Sequence, residues 1–235
     1  MDIKKYEKFM SAQMLMGPNS LRILEELLVK HALELCSEDK VLDLGCGKGL
    51  TSYALAMETG AKIYANDLWI SEEDNAARFK EWGVEGQIIP VHADANAFSF
   101  EKQMFNALVS IDAYHYFAGE QGFFSEKILP FLADGSLVLI GIPGIKDEFS
   151  GRSEELLSDW LGKEAYMFKS ISKWSEIIGS HERIDSVDVW EMECFDRAWG
   201  EWFATEHKLA LGDKAFYDSL IEPYTCFVGI CVKIK

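Results

Sequence analysis

Three glycines at every second position, Gly45, Gly47 and Gly49, are the residues of this chain best suited to chemistry, and they act by lacking a side chain. They follow the apolar run Val41-Leu42-Asp43-Leu44 and precede Leu50-Thr51-Ser52-Tyr53-Ala54-Leu55-Ala56, which has helical character. That order describes a buried strand turning sharply into a helix. Glycine is required where the turn brings bare backbone against a ligand, because a Cβ would block the approach. The spacing narrows the ligand further: a dinucleotide fingerprint places its third glycine one position later, where this chain has Leu50.

Other groups fall in register with the loop. Asp67 and Asp94 each close an apolar stretch. Either aspartate alone reads as a helix N-cap or a turn residue. Together with the loop they read as ligand contacts, and an acid about 20 residues beyond such a loop accepts hydrogen bonds from ribose hydroxyls. Cys46 has no base near it in sequence, so it fills a tight turn rather than acting as a nucleophile. Of the five histidines, His115 alone lies in the loop after the apolar stretch 107–111, flanked by Asp112, Tyr114 and Tyr116. It reads either as a general base of pKa about 6.5 or as a structural histidine bonded to backbone.

Positioning these groups takes alternating strands and helices. Gly17-Pro18-Asn19 breaks the chain, with Asn19 as N-cap, and Leu21, Leu24, Leu28 and Leu35 stripe a helix predicted to end near Cys36. Strands are predicted at 41–44, 61–65, 87–93, 107–111 and 136–142, the last ended by Pro143-Gly144. Gly60 caps the first crossover helix, Ser71 and Gly83 bound the second, and a third helical stretch stops around residues 133–135. Pro90 cannot donate to a sheet ladder, which puts the third strand at an edge. Such alternation requires parallel pairing with right-handed crossovers. Beyond residue 145 come helices at 154–161 and 171–178, a strand at 187–190, an apolar helical face of Phe195, Ala198, Trp199, Trp202 and Phe203, and an alternating last strand at 226–234.

The glycine segment, together with Tyr64-Ala65-Asn66-Asp67, Val91-His92-Ala93-Asp94-Ala95 and Phe105-Asn106-Ala107-Leu108-Val109-Ser110, resembles the motifs of class I S-adenosylmethionine-dependent methyltransferases in order and spacing. The resemblance implies an α/β, Rossmann-like seven-stranded, mostly parallel sheet in the order 3-2-1-4-5-7-6 with helices on both faces. It also implies an N-terminal helical cover and a helical insertion after strand five. The implied cofactor is S-adenosyl-L-methionine. Gly45, Cys46, Gly47 and Gly49 would hold its methionine end and ribose, and Asp43 its ammonium directly or through water. Asp67 takes the ribose and Asp94 the adenine amino group, with Ala95 supplying a backbone donor, while Leu68 and Ser110 complete the cofactor set. Trp69 reads either as a stacking partner for adenine or as packing under the next helix. His115 and Tyr116 are the expected catalytic residues.

Composition bounds the partners. At 235 residues the chain suits one domain over 1–235, with a cover at 1–36, a cofactor-binding core at 37–145 and a substrate-side region at 146–235. Acidic residues outnumber basic ones 39 to 23, and the resulting net charge of −16 repels nucleic acid and anionic membrane surfaces. Five scattered cysteines indicate neither a disulfide framework nor a metal site and suit a reducing cytoplasm. No run approaches the roughly 18 apolar residues of a membrane span. A small-molecule methyltransferase is therefore expected. Its alternatives are a lipid or quinone methylase similar to cyclopropane fatty acid synthases, with the aromatic C-terminal half as pocket, and a non-catalytic S-adenosylmethionine-binding protein. The Trp199, Trp202 and Phe203 face is a candidate homodimer patch if exposed.

Overall fold

The computed structural model describes residues 1–97 and 99–235. Its centre is β1 (Lys40–Leu44), where Val41, Leu42, Asp43 and Leu44 are all buried. Burial on both faces is what an apolar strand in the middle of a parallel sheet undergoes. β1 pairs in parallel with β2 (Lys62–Asp67) on one side and β4 (Phe105–Ile111) on the other. β3 (Ile88–His92) lies beyond β2 at the edge, where Pro90 is tolerated. β5 (Leu132–Ile145) continues the parallel set beside β4. β7 (Thr225–Ile234) then runs antiparallel between β5 and β6 (Ile184–Glu191), giving the order β3-β2-β1-β4-β5-β7-β6.

Strand side chains alternate between two cores, as the period of two demands. Val41, Ile63, Ala107 and Val109 face the layer of α1 (Ser20–Lys30), α2 (Leu50–Thr59) and α6 (Phe195–Phe203). Leu42, Leu44, Leu108 and Ile140 face Phe124, Ile128 and Trp174, the last carried by α5 (Ile171–Ile178). Caps fall where the sequence places them: the Asn19 side chain accepts from Leu21 N at 3.0 Å, Ser71 Oγ from Asp74 N at 3.1 Å at the start of α3 (Glu72–Glu81), and Gly60 closes α2 at φ +74°. The two insertion helices form as α4 (Ser153–Leu161) and α5, and α7 (Lys208–Lys214) follows α6.

Several boundaries differ from expectation, each for a tertiary reason. α1 stops at Lys30, not near Cys36, because Lys30 and His31 are drawn to β6: Lys30 Nζ and His31 Nε2 lie 3.2 and 3.1 Å from Asp188 Oδ2. The helical stretch before β5 ends at Phe131, and residues 133–135 belong to the strand, bulging between the pairs Phe105↔Leu132 and Ala107↔Leu137. Nor does Pro143-Gly144 end β5. Gly141 O faces β4 and accepts from Asp112 N at 2.7 Å; Pro143, two residues on, faces the same side beyond the end of β4, where no ladder needs its N–H. β6 begins three residues before 187 for want of any local break, paired along β7. The aromatic face of α6 is no dimer patch: Trp199 and Trp202 are 4% and 1% exposed, and Trp199 stacks with Phe227 inside the core.

Candidate active site

A cavity of about 490 Å³ opens at the carboxyl ends of β1, β2 and β4, where the strand order reverses. Gly45, Cys46 and Gly47 line it from β1, Asp67, Leu68 and Trp69 from β2, and Asp94, Ala95 and Asn96 from β3. Ile111, Asp112, Ala113 and Tyr116 close it from β4.

The three glycines serve different ends. All have positive φ, at +76°, +55° and +79°. A Cβ at Gly45 would stand 2.2 Å from Ala113 Cβ, and one at Gly49 2.3 Å from a ring carbon of the buried Phe79. Those two glycines let the loop pack on its own protein, and Gly49 does not line the cavity. Of the three, Gly47 alone has room for a side chain, which among the described residues would meet Met16 Sδ at 3.1 Å.

Asp67 ties the loop to β2: its Oδ2 accepts from Gly47 N at 2.8 Å, and its Oδ1 accepts from Trp69 N and Ile70 N at 2.7 and 2.9 Å. Asp94 is exposed on the rim, and its bonds from Asn96 N and Nδ2 hold its carboxyl below the usual carboxylate range. Asp43 is fully buried and does not reach the cavity. Its Oδ2 takes the hydroxyls of Thr51 and Ser52 at 2.7 and 2.6 Å, pinning the start of α2, and burial pushes its pKa up to about 6. Direct contact with a ligand ammonium is thus closed to it. Ser110 is likewise internal, donating to Leu44 O at 2.7 Å. Burial raises the Cys46 thiol well above its ordinary value, in keeping with a turn filler. Trp69 neither packs under α3 nor is hidden: it is 67% exposed on the rim, its ring 5.1 Å from that of Tyr116.

His115 departs most from expectation. It is buried and absent from the cavity wall, with its ring 4.1 Å from that of Tyr116 and Nδ1 without a partner among the described residues. Burial lowers its pKa to about 3, so the imidazole is neutral at physiological pH and a poor proton acceptor. The unfolded imidazole protonates near 6.5 while the folded one resists until about 3. Burial of His115 is therefore free of cost above pH 6.5 and destabilises increasingly as pH falls below it. A His115→Asn variant should keep turnover and pH profile near wild type, and in urea titrations its stability relative to wild type should be greater at pH 5 than at pH 8. A large loss of turnover would restore His115 to the mechanism.

From this loop the expected Tyr116 does face the cavity, and so does Asp112, named in the sequence only as a neighbour of His115. Asp112 sits at φ +53°, a conformation aspartate tolerates better than most residues. Burial, then the charge of Asp213, push its pKa up to about 7. Asp213 is fixed on α7 by the indole N–H groups of Trp160 and Trp202 at 3.1 and 3.0 Å. The sequence signal for Asp112 is its place directly after β4, three residues before the histidine whose ordinary pKa suits a base.

Residues 1–18 close another side. Ile3–Phe9 forms a 3₁₀ helix whose Ile3 and Tyr6 are buried; Tyr6 Oη donates to Glu58 Oε1 at 2.7 Å, and the Phe9 ring packs 4.8 Å from Tyr53. Met14, Met16, Gly17 and Pro18 then line the cavity, and Lys48 Nζ donates to Gln13 O.

Residues 41–134 match the sequence model of a family described as methyltransferase domain. That segment spans β1 to the start of β5 and holds every cavity-lining residue named from the strands. That segment is similar to methyltransferase domains, and it lies on a seven-stranded sheet of order β3-β2-β1-β4-β5-β7-β6. Solved methyltransferases share the fold at low identity. Geranyl diphosphate C-methyltransferase from Streptomyces coelicolor A3(2) aligns with TM-score 0.73 and 15% identity, over 89% of this chain and 78% of that one. Phosphoethanolamine N-methyltransferase 2 from Haemonchus contortus aligns with TM-score 0.71 and 19% identity, over 98% and 56%. A putative sarcosine dimethylglycine methyltransferase from Galdieria sulphuraria gives 0.70 and 14%, over 91% and 84%. The methyltransferase sheet thus accounts for where the glycine loop and the strand-end acids meet.

Proposed function

We propose that this protein is an S-adenosylmethionine-dependent methyltransferase acting on a small-molecule acceptor. The observation that carries the reading is the cradle at Gly47, where bare left-handed backbone, the Asp67 carboxylate and the start of α2 converge on one cavity. The cofactor suits these residues. α2 begins at Leu50 behind an N-cap, Gly49, that has no side chain to cap it, and Leu50 and Thr51 line the cavity, so the free amides of a helix N-terminus are available where a carboxylate would lie. Asp67 retains acceptor capacity for ribose hydroxyls beside Gly47, and Asp94 with Ala95 borders the place for adenine. Bound there, S-adenosylmethionine supplies a methyl group already activated on sulfonium. What remains for the chain is to orient the acceptor and exclude water.

A small acceptor is supported by the cavity's size, by the net charge of −16 and by the substrates named for the structural neighbours. The C-terminal aromatics that a lipid methylase would use as a pocket, Trp199 and Trp202, fill the core instead and do not line the cavity. No helix among the described residues is long and apolar enough to cross a membrane. Five free cysteines support a reducing cytoplasm, and one sheet running from residue 40 to residue 234 supports reading the chain as one domain. Transfer of labelled methyl from S-adenosylmethionine to a component of small-molecule pools tests the activity; binding without transfer to any pool would make this a cofactor-binding protein.

The cover supplies a second test. Its contacts with Tyr53, Trp82 and Lys48 leave the segment from Ser11 to Gly17 with little regular structure over the cavity. Amide exchange in residues 10–18 should slow when S-adenosylmethionine is added, because cofactor fills the space beneath Met14 and Met16. Exchange already slow and indifferent to cofactor would make the segment a fixed wall.

A further inference from the structure

The cavity walls carry four carboxylates, Asp67, Asp94, Asp112 and Glu164, against one cationic side chain, Lys48. Two of the acids are engaged near the glycine loop and β3: Asp67 with backbone amides and Asp94 with Asn96. Lys48 is committed to Gln13 O. Asp112 has no hydrogen-bond or ion-pair partner among the described residues, and its Oδ2 lies 3.0 Å from where a Cβ on Gly17 would stand, so the cover presses on it without satisfying it. Glu164 is an exposed, equally unpaired carboxylate on the rim. The same cavity is lined by two aromatic rings in edge contact, Trp69 and Tyr116. Burial first, then the negative charges of Asp112, Glu164 and Asp213, raise the Tyr116 hydroxyl, and Asp112, Glu164 and Tyr116 line the same cavity.

An unpaired carboxylate in a partly dry cavity is costly unless a cation completes it, and aromatic faces beside it favour the same charge. Phosphate would need arginine or lysine forks here, and no free one lines the cavity. A phosphate carried on Mg²⁺ would need only one or two carboxylates, and a phosphate probe with and without Mg²⁺ separates that case from an amine.

We propose that the methyl acceptor is an organic amine, bound as its ammonium by Asp112 and Glu164 beside Trp69 and Tyr116, and that Asp112 takes the proton which must leave before the nitrogen is methylated. The proposal rests on the reading of this cavity as a methyl-transfer site. The step balances: the Asp112 carboxylate gains the ammonium proton, the freed nitrogen lone pair forms the new C–N bond, and the methyl–sulfur bond breaks with its electrons going to sulfur. The products are a neutral thioether, a methylated ammonium and a neutral carboxylic acid, so net charge is unchanged. The raised pKa of Asp112, about 7, brings it closer to an amine near 10.4 than an ordinary carboxylate would be, which is the direction proton transfer requires.

Calorimetry with the protein saturated in S-adenosylhomocysteine tests this with three probes of one skeleton: 2-phenylethylamine, 2-phenylethanol and 2-phenylethyl phosphate, the last with and without Mg²⁺. The amine should bind at least about tenfold more tightly than the alcohol, as a charged hydrogen-bonded pair implies, and the phosphate should not bind. Asp112→Asn, which the left-handed backbone tolerates, should abolish the amine preference while leaving S-adenosylhomocysteine affinity unchanged, and Glu164→Gln should reduce the preference in part. Tighter binding of the phosphate, an amine preference surviving in Asp112→Asn, loss of S-adenosylhomocysteine affinity in that variant, or no binding of any probe would each overturn the proposal. Failure of S-adenosylhomocysteine to bind the wild type, with the amine preference intact, would sustain the amine site and overturn the cofactor reading instead.

Discussion

Replacing Gly47 by valine is expected to abolish S-adenosylmethionine binding while cooperative unfolding persists. The backbone there is left-handed at φ +55°, which a β-branched residue resists, and both methyl groups would project into the cradle where ligand must meet backbone. Among the described residues the one atom in the way is Met16 Sδ at 3.1 Å, the end of a flexible side chain, so the fold can yield. Gly47→Asn separates the two effects, since asparagine accepts left-handed backbone yet still fills the cradle. Gly49→Val makes the contrasting case: its Cβ would lie 2.3 Å from the ring of Phe79, so it should fail by unfolding. Unchanged calorimetric affinity in Gly47→Val would mean that the cofactor does not lie on this loop.

Asp67→Ala should be nearly as severe. On the proposed reading the carboxylate accepts from the ribose hydroxyls, and it holds the loop through Gly47 N at 2.8 Å, so its loss would remove ligand bonds and unpin the cradle together. Charge-assisted hydrogen bonds contribute about 1.5 to 3 kcal/mol each, and two lost to ribose hydroxyls predict an affinity drop of about 10²- to 10⁴-fold. Asp67→Asn retains an acceptor oxygen and should lose less. A drop of under tenfold in the alanine variant would show that Asp67 serves the loop alone.

The order of strands, the glycine turn and the strand-end acids were legible because local rules impose them. Periodicity marks a strand, a proline marks an edge, and left-handed turns demand glycine wherever they occur. Gly45, Gly47, Asp67 and Asp94 could be placed at one crevice from spacing alone, since strands in a parallel sheet deliver their carboxyl ends to the same side. Element ends were less legible. Pro143 looks like a terminator until β4 is seen to stop short of it, and Lys30 ends α1 through an acid on β6 that is 158 positions away.

What the sequence determined by itself, then, was the sheet and the side of the cavity built by the glycine loop and the strand-end acids. Tertiary structure alone decided which polar side chains face that cavity and which are sealed behind it. Asp43, Ser110 and His115 carry the right chemistry at the right spacing, yet packing turns them inward, and burial leaves His115 neutral with a pKa near 3. Asp112, three positions earlier on the same loop, faces the cavity with its pKa raised to about 7. The reason is physical: spacing fixes where a Cα falls along a strand or turn, but desolvation and a side chain's neighbours depend on what arrives from the cover, α7 and the segment 162–167, which no local pattern encodes.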